Sequence, residues 1–232
     1  MHAWLRPFYS MGLVFRVQDG ASYTFLGSCF AYSSRSHFLA AAHCIRGLTP
    51  SQLEIVPPVV DHPSLAHVRA IKCHPTADLA MIETEADLSD EVQPFRGVSA
   101  HFGWGERVLA LGYPEEAQRD GVLPTARLFT GTIQRELIHD SHMGYKYQAG
   151  ELSFGSPAGL SGGPVFPASE HDLVLGVVAE NHDSTTFLRS VAEIQDGSRY
   201  YTEKVHEVIR YGLFVRLDMV KEWLDSNSSS SC

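Results

Sequence analysis

The chain has 232 residues, 44% of them hydrophobic and 19% charged, with a formal net charge of -9. That length and apolar share allow a full buried core. The acidic balance, with no run of lysines or arginines to override it, argues against nucleic acid or anionic lipid as a partner.

The first residues, Met1-His2-Ala3-Trp4-Leu5-Arg6-Pro7-Phe8, lack the charged and apolar regions of a secretion signal, so the chain reads as cytoplasmic, with a secreted or periplasmic location left open for a chain whose signal has been removed. No stretch is long and apolar enough to span a bilayer, and no membrane partner is expected. Short β-like runs then recur at roughly the 8–12-residue interval of a barrel or sandwich. Strands are read over 12–17, 24–31, 37–41, 52–56, 67–73 and 79–84. Residues 86–105 hold Asp, Ser, Pro and Gly and suit a linker. Strands resume over 107–111, 126–136, 145–149, 163–166, 173–180 and 211–216. The expectation is a single all-β unit with an N-terminal half over 12–85 and a C-terminal half over 106–216. Apolar residues at helical spacing predict a short helix over 217–225. The serine-rich tail, 226–232, is expected to be disordered.

Residues 182–210 form a connection far longer than a hairpin needs. It holds an apolar-bearing run, 187–194, a turn at Asp196-Gly197-Ser198, and a stretch in which Val205, Val208 and Ile209 could make one helical face. Two readings stay open here. One is an extra hairpin packed on the barrel; the other is a loop that orders when substrate or a partner binds.

The four cysteines, Cys29, Cys44, Cys73 and Cys232, are too few for a disulfide scaffold and match no zinc spacing. Free thiols are the simpler reading, although a Cys29–Cys44 bridge across neighbouring strands is conceivable. Histidine is abundant, at twelve residues, and most of these must be ordinary. His139 and His142 flank Asp140, and His62, His67 and His74 share one stretch. A metal site there is the weaker reading, since loop histidines facing solvent are far commoner.

The chemistry concentrates in three segments. Gly159-Leu160-Ser161-Gly162-Gly163-Pro164 sets a serine between glycines just before an apolar run. A serine hydroxyl needs a neighbouring base, and backbone N–H groups to hold the oxyanion it creates. Gly159 and Ser161 can supply those N–H groups. Ala41-Ala42-His43-Cys44 puts a histidine after a strand end. Asp78 precedes the apolar run Leu79-Ala80-Met81-Ile82, where a rigid strand can anchor a carboxylate against an imidazole. The order His43, Asp78, Ser161 differs from the orders of the α/β-hydrolases and the subtilisins.

These segments, with Gly27-Ser28-Cys29-Phe30 and the ending Tyr211-Gly212-Leu213-Phe214-Val215-Arg216, resemble the chymotrypsin-like serine proteases over nearly the whole chain. The resemblance implies two six-stranded antiparallel barrels with the site between them. It also implies a His43-Asp78-Ser161 triad, a protein or peptide substrate, and no cofactor. A pseudoprotease that keeps the fold and binds partners is the alternative. Secreted trypsins carry Asp immediately before the nucleophile, to pair with an N-terminus freed by cleavage; here Leu160 stands there. That departure, and the lack of dense disulfides, look more like the HtrA/Deg-type peptidases, here without a PDZ extension. Activity without zymogen cleavage is the expectation. By the same resemblance the primary pocket is lined by Gly155, Ser156, Pro157, Ala158, Ala179, Glu180, Asn181 and Gly212. It suits a small aliphatic residue, unless the Glu180 carboxylate turns inward and selects a basic one.

Overall fold

The structure, a computed structural model, describes residues 6–18, 22–57, 65–99, 103–114, 125–196 and 199–228, with 186–205 described by their backbone. A short helix, α1 (Arg6–Ser10), leads into β1 (Met11–Gln18), β2 (Ser22–Ala31) and β3 (His37–Ala40). After a small helix, α2 (Ala42–Ile45), come β4 (Leu53–Val56), β5 (Ala66–Cys73) and β6 (Ala80–Thr84). These six strands close into a barrel in the order β1-β2-β3-β6-β5-β4, every pair antiparallel. Closure leaves no strand edge to template aggregation.

The intervening segment carries β7 (Gly97–Val98), and the second half supplies β8 (Arg107–Gly112), β9 (Arg127–Asp140), β10 (Lys146–Leu152) and β11 (Pro164–Pro167). Then follow β12 (Leu173–Val174), β13 (Gly176–Asp196) and β14 (Arg199–Arg216). A second barrel closes in the order β10-β14-β13-β11-β8-β9. β12 pairs in parallel with β7, which ties the inter-barrel segment to the second barrel. That segment is more than a spacer. Phe95 is 1% exposed, and its ring lies 5.4 Å from Phe30 and 5.7 Å from Phe166, one from each barrel. One apolar cluster therefore runs from Leu39 and Met81 through Phe95 to Val177 and Val215.

Three expectations are corrected. The run 173–180 is two strands, because the chain leaves β12 at Leu175 before β13 begins. The long connection is β throughout: pairing runs from Asn181↔Gly212 to Asp196↔Arg199, with register shifts at Phe187/Arg189 and Ala192/Ile194. No helical face forms, since β-branched residues favour the extended ribbon, and Val208 and Ile209 are exposed. β10 joins β14 only over Leu213–Val215, and β11 joins β13 only at Gly176 and Val177. Beyond Asn181 the two long strands pair with each other. Finally, the terminal helix starts as a 3-10 turn at Asp218–Val220 and continues as α3 (Lys221–Ser228). Ser226 Oγ and Asn227 Nδ2 donate to the Glu222 and Trp223 carbonyls, which keeps 226–228 helical. The last four residues lie outside the described ones. Among the described residues no helix is long and apolar enough to cross a membrane.

The barrels meet most tightly where β2 passes the turn that carries Ser161. Ser28, wholly buried, donates its N–H to the Ser161 carbonyl at 2.9 Å and its hydroxyl to the Gly159 carbonyl at 2.7 Å. The same hydroxyl accepts the Tyr113 N–H at 2.9 Å. A Cβ on Gly162 would stand 1.9 Å from the Ser28 carbonyl oxygen, so only glycine permits this approach. Ser28→Ala strands two buried polar groups, and urea denaturation should show a loss of about 2–4 kcal/mol. An unchanged midpoint and slope would show that the contact contributes nothing.

Candidate active site

β3 ends at Ala40, and the chain extends through Ala41 (φ -72, ψ 131) into α2, which sets His43 at the rim of the first barrel. Ala40, Ala41 and Ala42 are at most 1% exposed, and their small side chains let the second barrel come close. Asp78 lies in the turn before β6 and is wholly buried. Its Oδ1 accepts the His43 backbone N–H at 2.8 Å, and its Oδ2 meets His43 Nδ1 at 2.6 Å. Two bonds to one residue fix both the position and the plane of the imidazole, and leave Nε2 directed away from the carboxylate. Burial works against the charged ring. The Asp78 hydrogen bond and the Cys44 thiol outweigh it, raising the His43 pKa to about 10.

Ser161 sits in a turn flanked by Gly159 (φ +89) and Gly162 (φ +87), both in the left-handed region that favours glycine. Within this turn the N–H groups of Leu160, Gly162 and Gly163 donate to the carbonyls of Pro157, Val178 and Leu160. Those of Gly159 and Ser161 have no hydrogen-bond partner among the described residues. The Ser161 hydroxyl donates to the Ala179 carbonyl at 3.0 Å. His43 Nε2 instead faces Cys44 Sγ at 3.4 Å. No hydrogen bond joins Ser161 Oγ to His43 among the described residues. Leu160 is wholly buried, packed with Ile133, Val165 and Phe214. Cys29, Cys44 and Cys73 are free thiols, and burial pushes the Cys29 thiol up.

His43 and Ser161 open onto a cleft of about 750 Å³, which Gly155, Ser156, Pro157, Ala158, Ala179, Glu180 and Asn181 also line. The Asn181 amide holds one wall in shape. Its Oδ1 accepts the Ser156 N–H at 2.6 Å and its Nδ2 donates to the Ser156 carbonyl at 2.7 Å. Gly212 is not on the cleft surface. It backs the wall, with its N–H on the Phe154 carbonyl at 2.6 Å, and a Cβ there would press on the Phe154 oxygen at 2.9 Å. Glu180 turns to the opposite side from Asn181, with carboxylate oxygens 3.5 Å from His139 Nε2 and 3.6 Å from His142 Nδ1.

Sequence reasoning missed Pro114, Arg127, Phe129, Met143 and Arg210 as lining residues. They arrive from β9, β14 and two connections, and no motif marks them. The other histidines have separate roles: His67 faces Glu54 at 3.4 Å, and His74 Nδ1 accepts the N–H groups of Thr76 and Ala77. His62 lies outside the described residues, and Asp140 pairs with Lys146. Among the described residues no group of three or more His, Cys, Asp or Glu is placed to hold a metal.

The two closed barrels and the cleft between them define the fold of the chymotrypsin-like serine proteases. Solved structures of that class superpose on nearly the whole chain. The Rv3671c protease of M. tuberculosis in its active form matches with a TM-score of 0.67 at 16% identity, over 99% of this chain and 86% of its own. The HtrA-type protease AlgW, solved with a decapeptide, gives 0.67 at 14% identity, over 97% of this chain and 66% of its own. The MamO protease domain of Magnetospirillum magneticum gives 0.63 at 12%, over 96% and 98%. No protein-family profile matches the chain, and no curated protein matches it in sequence.

The raised His43 pKa has a definite sign. The Asp78–His43 interaction stabilises the fold fully below the ordinary histidine value and is lost as pH rises through about 10. Asp78→Asn removes the charge, and the His43 midpoint, followed by NMR of the imidazole, should fall by about two units or more. A wild-type midpoint at or below 6.5 would show that burial outweighs the Asp78 contact.

Proposed function

We propose that the chain is a serine endopeptidase that cleaves peptide bonds through an acyl-enzyme, with His43, Asp78 and Ser161 as its triad. The observation that carries this reading is the pair of unpartnered N–H groups, on Gly159 and Ser161, beside a hydroxyl and a carboxylate-oriented imidazole. To react, the Ser161 hydroxyl swings from the Ala179 carbonyl to His43 Nε2. Its oxygen attacks the scissile carbonyl while neutral His43 takes the proton, and Asp78 stabilises the imidazolium. The Gly159 and Ser161 N–H groups hold the oxyanion. His43 then gives the proton to the departing amine, and water repeats the sequence to release the acid. Only deprotonated His43 accepts the Ser161 proton, so the rate rises with pH through the His43 midpoint.

One observation favours a second reading. Ser161 bonds Ala179 and not His43, as expected of a protein that binds peptides on this fold without cleaving them. A fluorophosphonate probe separates the two. The endopeptidase labels at Ser161, faster at higher pH, and Ser161→Ala abolishes labelling. Because Leu160 is buried among apolar side chains, no freed N-terminus has a carboxylate to meet there, and the labelled chain should retain its uncut mass. Absence of labelling between pH 7 and pH 10 would leave the binding reading.

The Asn181–Ser156 bridge narrows the primary pocket, and no carboxylate lines its base, where Gly155 stands. Peptide-library profiling should show small aliphatic residues before the cleaved bond. The preference should be graded, because one methylene in such a pocket is worth only about 1–3 kcal/mol. A profile dominated by Arg or Lys at that position would overturn this assignment.

A further inference from the structure

Glu180 places one carboxylate oxygen in a buried position with no donor of its own. Its side chain is 9% exposed, yet it lines the cleft that holds Ser161. Oε1 is buried and has no hydrogen-bond partner, and the same is true of His139 Nε2, 3.5 Å away. The 3.5 and 3.6 Å separations from His139 and His142 exceed the roughly 2.7–2.9 Å of a charge-assisted hydrogen bond. The histidines flank the carboxylate without satisfying it. The nearby Tyr147 hydroxyl is also unpartnered, and its pKa is pushed up by burial first and by the Glu180 charge second. A carboxylate with one oxygen buried and unpartnered is under-satisfied, at a cost in free energy. A cation delivered by the substrate would relieve that cost.

The backbone indicates where such a cation would come from. β13 bonds β11 only at Gly176 and Val177 and then runs past it beside Ser161. An extended peptide can add to such a strand as a further strand. Asn181 faces Ser156 and Glu180 faces the other way. Side chains of an extended peptide alternate likewise. When the residue before the scissile bond faces the Asn181–Ser156 wall, the residues second and fourth before the bond face Glu180.

Resting on the endopeptidase reading, we propose that Glu180 is a specificity-determining residue that receives a lysine or arginine side chain from the second or fourth position before the cleaved bond. The basic residue is therefore displaced from the primary pocket, where the wall is set by neutral groups.

The test uses the full chain and acetylated fluorogenic peptides with alanine or valine before the cleaved bond. Lysine, norleucine or glutamate is placed at the second position, and in a parallel series at the fourth. In one series lysine should exceed glutamate in kcat/KM by about tenfold or more. Glu180→Gln should collapse that ratio, and Glu180→Lys should invert it. Equal rates across both series, or a lysine preference that survives Glu180→Gln, would overturn the proposal while leaving the endopeptidase standing. Neither cleavage nor fluorophosphonate labelling would overturn both.

Discussion

Ser28 holds the two barrels in the one relation that creates a site. It belongs to β2, yet three of its hydrogen bonds reach the second half of the chain, two of them to the turn around Ser161. By holding the Gly159 and Ser161 carbonyls, it fixes the peptide planes that join Gly159 to Leu160 and Ser161 to Gly162. The N–H groups of Gly159 and Ser161, on the adjoining peptides, remain unpartnered inside the fold, where an unsatisfied donor is ordinarily costly. The constraint is steric as well as polar: the Ser28 carbonyl would lie within bonding reach of any Cβ on Gly162. The glycines flanking Ser161 thus serve the barrel contact as much as the turn.

Around this contact the first barrel carries the oriented imidazole, and the second carries the Ser161 hydroxyl and most of the cleft wall. His43 and Asp78 sit at the ends of β3 and β6, neighbouring strands of the first barrel. Two hydrogen bonds lock them together independently of anything the second barrel does. Ser161, the Asn181–Ser156 bridge and Glu180 all belong to the second. Phe95 joins the halves through an edge contact with Phe30 and a tilted contact with Phe166. The Ser161 hydroxyl points to the Ala179 carbonyl, on its own barrel.

Much of this was legible in the residues. The strands of the first barrel follow alternating apolar runs, and β1 to β6 start and stop within about two residues of the pattern. The Ala-Ala-His-Cys and Gly-Leu-Ser-Gly-Gly segments carry strong local constraints, small residues for close approach and glycines for left-handed turns, so they announce themselves. The β13–β14 ribbon did so only in part, as a hairpin that was one of two readings. Its residues mix helical and strand spacing, and strand propensity decides only when a partner strand is beside it. Gly212 was misplaced because strand register, which a motif does not encode, puts it behind the wall. The lining residues Arg127, Met143 and Arg210 meet only through barrel closure, and no spacing along the chain foreshadows that.

The ribbon has a mechanical consequence. Asn181 and Asp196 lie on one continuous strand, and at about 3.3 Å per residue the stretch between them spans roughly 50 Å. Its base is the segment that carries Ala179, Glu180 and Asn181. A grip on the far end acts as a lever on its base, where β13 is held by β14, by a two-residue pairing with β11 and by the hydrogen bonds of Val178 to Gly162 and Gly163. A small tilt there would change the spacing between Asn181 and Ser156, and with it the width of the slot beside Ser161. The two register shifts along the ribbon set where such a lever bends before it transmits.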